Sequence, residues 1–206
     1  MKKVALLVAA ALIAPSAAFA HQAGDILVRG GAITVSPTGS GGDIDGVGHL
    51  DVQNNTQVGL TFSYMVTDNW GVELLAATPF SHGVNLNGGE AAKVKHLPPS
   101  LMAQYYFGNA QSKVRPYVGA GVNYTFFFDE EGRNGLRDAS VNADDSWGLA
   151  AQAGLDMKVT DNLFVNGSVW YMDIDTDVTV NTGTNILKAD TSIDPIGLMV
   201  GLGYRF

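Results

Sequence analysis

The sequence has no cysteine among its 206 residues. Disulfide scaffolds, thiolate metal centres and cysteine nucleophiles are therefore excluded. Charge is also scarce: Asp, Glu, Lys and Arg make up 16% of the chain, against about 25% in an average soluble domain. Basic residues are the scarcer kind, with 12 Lys and Arg against 20 Asp and Glu and a formal net charge of −8. That balance argues against nucleic-acid binding, which wants a basic face. Long apolar runs are missing too. Beyond residue 20, no 18-residue stretch is free of Asp, Glu, Lys and Arg, whereas a membrane helix needs about 20 predominantly apolar residues. What the chain does have is 46% hydrophobic residues, 25 Gly, 9 Phe, 7 Tyr and 3 Trp. Such a composition is neither disordered nor collagen-like.

Residues 1–20 read MKKVALLVAAALIAPSAAFA. Lys2 and Lys3 form a basic start, Val4 to Ala14 an apolar run, and Ala18-Phe19-Ala20 a small-x-small cleavage signal. These features predict a secretory signal peptide. The exported domain would then run over 21–206, starting at His21 with a net charge of −10.

Period-2 alternation dominates the rest. In 56–66, Thr56, Val58, Leu60, Phe62, Tyr64 and Val66 share one parity, and Gln57, Gly59, Thr61, Ser63 and Met65 the other. In a strand these sets point to opposite faces. The pattern recurs near 25–35, 70–79, 100–107, 116–127, 147–159, 163–174 and 195–206, which predicts eight strands. Connections alternate between short (Thr67-Asp68-Asn69, 108–114, Thr160-Asp161-Asn162) and long (36–54, 80–97, 129–145, 175–192). Short turns on one side and long loops on the other mark an outer-membrane barrel. The expected fold is all-β: an eight-stranded antiparallel transmembrane β-barrel with four long extracellular loops and short periplasmic turns. A soluble sandwich would put Lys, Glu and Arg on its outer face. Here the second parity is Gly, Ser, Thr, Asn and Gln, and aromatics such as Tyr64, Trp70, Tyr105, Phe107, Tyr124, Phe126 and Trp147 sit near strand ends, as interfacial girdles do.

Eight strands enclose a lumen just wide enough for side chains or one small ligand. On the inner parity, Met65, Leu75, Met102, Trp170, Met172 and Met199 are apolar and are candidates for lining a channel. They are equally suited to plain barrel filling, since Met packs irregular gaps. Inward charges are few. Arg29 is one, and Glu73, Asp156, Lys158 and Arg205 lie toward the short turns, where they are expected to pair as a periplasmic-side plug.

Several strings resemble one family in order along the domain: His96-Leu97-Pro98-Pro99-Ser100-Leu101, Gln104-Tyr105-Tyr106-Phe107-Gly108, Arg115 to Tyr124, Asp145-Ser146-Trp147-Gly148, Ser168 to Thr176 and Gly203-Tyr204-Arg205-Phe206. Together they resemble the OmpW family of Gram-negative outer-membrane proteins. The resemblance implies a narrow hydrophobic channel that admits small hydrophobic molecules. It also implies closure at the periplasmic end and sideways exit through the barrel wall. Pro98, Pro99 and Pro195 cannot donate to a ladder, so a lateral opening is expected beside them. The expected partners are membrane lipid, lipopolysaccharide, small hydrophobic solutes and, through the terminal Phe206, the barrel-assembly machinery; no nucleic acid and no cofactor are expected.

Other signals are weaker. His49, His82 and His96 lack metal-ligand spacing. Asp173, Asp175 and Asp177 mimic the start of a calcium loop but lack its Gly and closing Glu. Ser81-His82 and Ser100 with His96 are the only candidates for an enzyme's nucleophile and base, and no G-x-S-x-G is present. The alternative to a channel is a loop-mediated receptor or adhesin, or a stress-related structural barrel with an inert lumen.

Overall fold

The computed structural model describes residues 21–38, 43–44, 48–86, 89–134, 139–183 and 186–206. The expected signal peptide at 1–20 lies outside them. In chain order the described strands are β1 (Ile26–Ser36), β2 (Asp43–Ile44), β3 (Gly48–Val52), β4 (Asn55–Met65), β5 (Trp70–Ala77), β6 (Phe80–Leu86), β7 (Gly89–Leu97) and β8 (Ser100–Tyr106). There follow β9 (Val114–Gly132), β10 (Ser140–Ala143), β11 (Ser146–Lys158), β12 (Leu163–Met172), β13 (Asp175–Asn181), β14 (Ile186–Ser192) and β15 (Ile196–Arg205).

Eight of them close on themselves. The order round the wall is β1-β4-β5-β8-β9-β11-β12-β15 and back to β1, antiparallel throughout. The first and last strands are joined along their length, from Leu27 opposite Arg205 to Ser36 opposite Ile196. Among the described residues no helix is long and apolar enough to cross a membrane. The expected strands are all present, with ends shifted by a few residues.

Alternation places the faces. Val58, Phe62, Tyr64, Val72, Leu74, Leu101, Val118, Leu149, Val169, Leu198 and Val200 face outward and are exposed, while Thr61, Ser63, Glu73, Gln104, Asn123, Asp156 and Asn166 face inward and are buried. An outside that is apolar and an inside that is polar invert the pattern of a soluble protein and suit lipid.

Two of the short turns use one device. Thr67 Oγ1 accepts from the backbone N–H of Asn69 and Trp70, at 3.2 and 2.9 Å. Thr160 Oγ1 accepts from Leu163 N at 3.0 Å. The shared Thr-Asp-Asn triplet thus closes both turns through its hydroxyl.

The long connections lie where they were expected and carry further strands. They are not simply loops. β6 and β7 form a hairpin that pairs with the far end of β9, β3 pairs with β6, and β10, β13 and β14 form a second small sheet. Strand β9 accordingly runs to Gly132, well past the expected end at 127. Ladders join main-chain groups, so Asn-, Thr- and Asp-rich segments adopt them once a neighbouring strand offers unpaired backbone. Composition concealed this.

Gly154 stands opposite Tyr117, and Gly203 opposite Phe164. A Cβ at either glycine would overlap the facing ring. The two glycines let the rings lie flat on the wall. Gly154→Val is expected to destabilise the barrel by about 1–3 kcal/mol through overpacking, read as a lower urea midpoint in lipid vesicles.

Candidate functional site

The lumen is organised around one guanidinium. Arg29 projects from β1 and is 1% exposed. Its Nη1 donates to Ser63 Oγ at 2.7 Å and to Glu73 Oε2 at 2.8 Å. Its Nη2 donates to Asp156 Oδ2 at 2.6 Å and Tyr106 Oη at 2.7 Å, and Nε reaches Asp156 Oδ1 at 3.2 Å. The carboxylates are tied down in turn: Gln152 Nε2 donates to Glu73 Oε1 at 3.0 Å, Asn166 Nδ2 to Asp156 Oδ1 at 2.7 Å, and His21 Nε2 lies 2.9 Å from Asp156 Oδ2. The rings of Tyr117 and Phe164, seated over their glycines, each lie 5.4 Å from the guanidinium carbon, a cation–π arrangement. Residues from β1, β4, β5, β8, β9, β11 and β12 thus meet at one level and form a floor across the barrel.

On the short-turn side of the floor, Leu27 and Met65 pack against its Tyr106, Tyr117 and Phe164. Arg115, fully buried, donates to the backbone carbonyls of His21, Phe107 and Asp68 at 2.9, 3.3 and 2.8 Å. Above the floor are two apolar groups. One holds Leu75, Met102, Ala150, Trp170, Met172, Ile174 and Ile193, with Phe127 against it. The other holds Ile33, Val35, Phe80 and Met199.

The expected residues therefore divide. Leu75, Met102, Trp170 and Met172 share one cluster, and Met199 lies in its neighbour. Met65 is on the other side of the floor, because the end of β4 adjoins the short turn. Glu73 and Asp156 both meet Arg29, which the sequence marked as inward without naming it the hub. Arg205 pairs instead with Asp25 at 3.3 Å, and Lys158 with Asp161 at 3.0 Å, three residues along its own turn. Strand-end position alone could not separate these last two from the central cluster. Tyr106, Tyr117, Asn166 and Gln152 are buried on the inward parity of their strands, but nothing in the sequence marks them as partners of Arg29.

The prolines sit in two different settings. On the β5 side, pairing stops at Leu75 opposite Ser100 and resumes at Phe80 opposite His96. Residues 76–79 and 97–99 lie between, and Pro79 and Pro98 have no N–H to offer there, while Pro99 turns its main chain toward β9. On the β9 side the register runs through, with Tyr124 N donating to Pro99 O at 3.1 Å. Pro195 interrupts nothing comparable: its carbonyl accepts from Met172 N at 3.3 Å.

The remaining candidates are also placed. Ser100 Oγ donates to Pro98 O and accepts from Asn123 Nδ2, and Ser81 Oγ has no partner, so neither serine is bonded to a histidine. Carboxylate oxygens of Asp173, Asp175 and Asp194 lie within 4.8 Å of one another. Asp177 instead faces Asp190 across β13 and β14, and a hydrogen bond with Asp190, together with its like charge, raises the Asp177 carboxyl above the ordinary value.

A closed eight-stranded barrel with an apolar exterior, aromatic strand ends and short turns along one rim is an outer-membrane β-barrel. The OmpW family model matches residues 22–206, and the chain belongs to that family. It is 52% identical to Outer membrane protein W of Escherichia coli strain K12 over 215 aligned positions, covering 100% of both chains. Its structure is similar to the crystal structure of OprG from Pseudomonas aeruginosa, with a TM-score of 0.84, 44% identity and coverage of 90% of this chain and 97% of that one. A further relative is the dibenzothiophene metabolism operon protein PahQ of Pseudomonas aeruginosa, 30% identical over 77% of this chain and 75% of that one. The family places the protein in the bacterial outer membrane.

Removing Arg29 leaves two carboxylates buried without a counter-charge. Arg29→Met is expected to cost about 3–5 kcal/mol. Lys158→Met removes a pair whose Asp161 end is exposed to water, worth less than about 1 kcal/mol. Urea unfolding of both variants in the same vesicles checks the contrast. A second expectation concerns His96 on β7. Burial, aided by the nearby His82, pushes its imidazole down to about 3. The folded state therefore takes up that proton later than the unfolded chain, whose ordinary value is 6.5. Its contribution is fully present above pH 6.5 and is lost as pH falls from there toward 3. His96→Phe is expected to lose stability less steeply than the native chain across that window.

Proposed function

We propose that the barrel admits small hydrophobic molecules from outside the cell and releases them sideways into the membrane. The observation that carries this reading is the break in the wall. The ladder between β5 and β8 ends at Leu75 and Ser100, and Leu75 belongs to the apolar cluster that stands above the floor. A solute arriving there meets a bonded polar barrier below and unpaired wall beside it. Leaving through that wall costs little, because the prolines have no N–H to strip of a partner. Straight passage would require dismantling the ion pairs of Arg29.

Affinity for a solute follows from apolar contact, at about 25 cal/mol per Å² removed from water. Met102, Met172 and Trp170 supply such a surface, with flexible thioethers suited to varied shapes. The indole N–H is already bonded to Ser168 Oγ at 3.0 Å, so Trp170 offers the solute a purely apolar face. The relative named for a dibenzothiophene metabolism operon supports the same direction, since dibenzothiophene is a compact apolar compound. This reading uses no covalent step.

The test is uptake of a short alkane by intact cells with and without the protein, the outer leaflet being the barrier. Uptake is expected to rise with the protein and to lose that gain in Trp170→Asp. Replacing Pro98 and Pro99 with Val restores an N–H donor toward β5 at 98 and one toward β9 at 99, and is expected to slow uptake several-fold while the barrel still folds. Uptake that is indifferent to a folded, inserted barrel would reject the channel and favour a receptor or structural role. Uptake that rises with the protein and is unmoved by the valine pair would keep the channel and reject lateral exit.

A further inference from the structure

At the outer end of the lumen, rings from β6, β7 and β9 stack. His82 and His96 have ring centres 4.9 Å apart and planes only 8° from parallel. Phe80 stacks on His96 at 5.6 Å, and Phe127 lies against His96 at 5.7 Å. Phe80 belongs to one apolar cluster above the floor and Phe127 packs on the other, so this column bridges both. Each histidine is 3% exposed.

The polar atoms of the column are unpaired in a revealing way. His82 Nδ1 lies 2.5 Å from the carbonyl oxygen of Gln53. A carbonyl only accepts, so Nδ1 carries the proton and Nε2 is left as a bare acceptor. His82 Nε2 and His96 Nε2 are both buried without a hydrogen-bond partner. Burial holds both imidazoles below their ordinary value, so both are neutral near pH 7. A buried acceptor with no donor is costly, and a partner that satisfies it recovers that cost. A shared metal ion fits poorly, because lone pairs lie in the ring planes and nearly parallel planes do not converge on one point.

We infer that His82 Nε2 is a recognition point for small apolar solutes bearing one hydroxyl or N–H, which distinguishes phenols and alcohols from plain hydrocarbons at the mouth of the passage. This rests on the passage proposed above. The solute's apolar body lies among Phe80, Phe127 and the neighbouring lumen residues. Its one donor meets the one acceptor whose protonation state the Gln53 carbonyl has fixed. A site holding an unpaired polar atom discriminates against a solute that cannot pair it.

The test compares 1-naphthol with naphthalene, which share a ring system and differ in one hydroxyl. In intact cells producing the native chain, the protein-dependent uptake ratio of naphthol to naphthalene is expected to fall about tenfold in His82→Phe, a change that keeps an aromatic ring in the stack. To separate recognition from any repacking of the column, a second measurement uses the native protein in lipid nanodiscs. The imidazole ¹⁵N signal of His82 Nε2 is expected to move on adding 1-naphthol and to stay in place with naphthalene. An unchanged uptake ratio, or an Nε2 signal that ignores naphthol, overturns the inference. Protein-dependent naphthalene uptake alongside either result leaves the passage standing, whereas no protein-dependent uptake of either probe removes both.

Discussion

In hydrocarbon every main-chain N–H and C=O needs a partner within the protein, and only a helix or a closed barrel supplies one throughout. The chain has no helix for the task among its described residues. Closure therefore governs everything else. It requires β1 to meet β15 along their full lengths, fixes which parity faces lipid, and confines inward side chains to a narrow bore. It also gives proline a particular meaning. In a sheet bathed in water, a missing N–H is a small defect. In a membrane wall, the clustered Pro79, Pro98 and Pro99 mark a stretch where the ladder on one side gives way while the other side runs on.

The bore imposes its own chemistry. Filling it wholly with apolar side chains would leave nothing to fix their order. Charges cannot be left there alone, since removal from water is costly unless each is paired and hydrogen-bonded. Arg29 resolves both demands. Its planar fork addresses Glu73 and Asp156 at once, and the rings of Tyr117 and Phe164 cover it. Seven strands are thereby fixed at one height, and the interior is divided into compartments of different polarity. That division, rather than any reactive group, makes the barrel asymmetric between its two ends.

Much of this could be seen in the sequence because period-2 alternation is a direct record of which way a side chain faces. Val58 and Thr61 declare their faces without reference to any partner, and the paired Thr-Asp-Asn turns declare where strands reverse. Depth is harder to read. Met65 and Leu75 share a parity yet lie on opposite sides of the floor, since height in a tilted barrel depends on register between strands. Lys158 shows the same limit: its parity agrees with Asp156, but Asp161 in the adjoining turn is nearer. The outer strands went unread because their ladders use main-chain groups behind Asp, Asn, Thr and Gly. The stacked histidines went unread because His82 and His96 are brought together by a hairpin, not by spacing.

The 19 residues of β9 have a consequence for how the protein meets its surroundings. At about 3.3 Å per residue the strand measures about 60 Å, and a tilt of about 45° leaves about 40 Å along the barrel axis. An apolar band is only about 25 Å tall. The surplus lies at the end that carries the β6–β7 hairpin, where the exterior turns from Val118 and Val122 to the exposed acids Asp129 and Glu131. The barrel is thus a chimney whose rim stands about 15 Å clear of the oily layer. On the proposed passage, a solute entering at the rim would travel the intervening distance inside protein, shielded from the hydrated, charged shell of the cell surface.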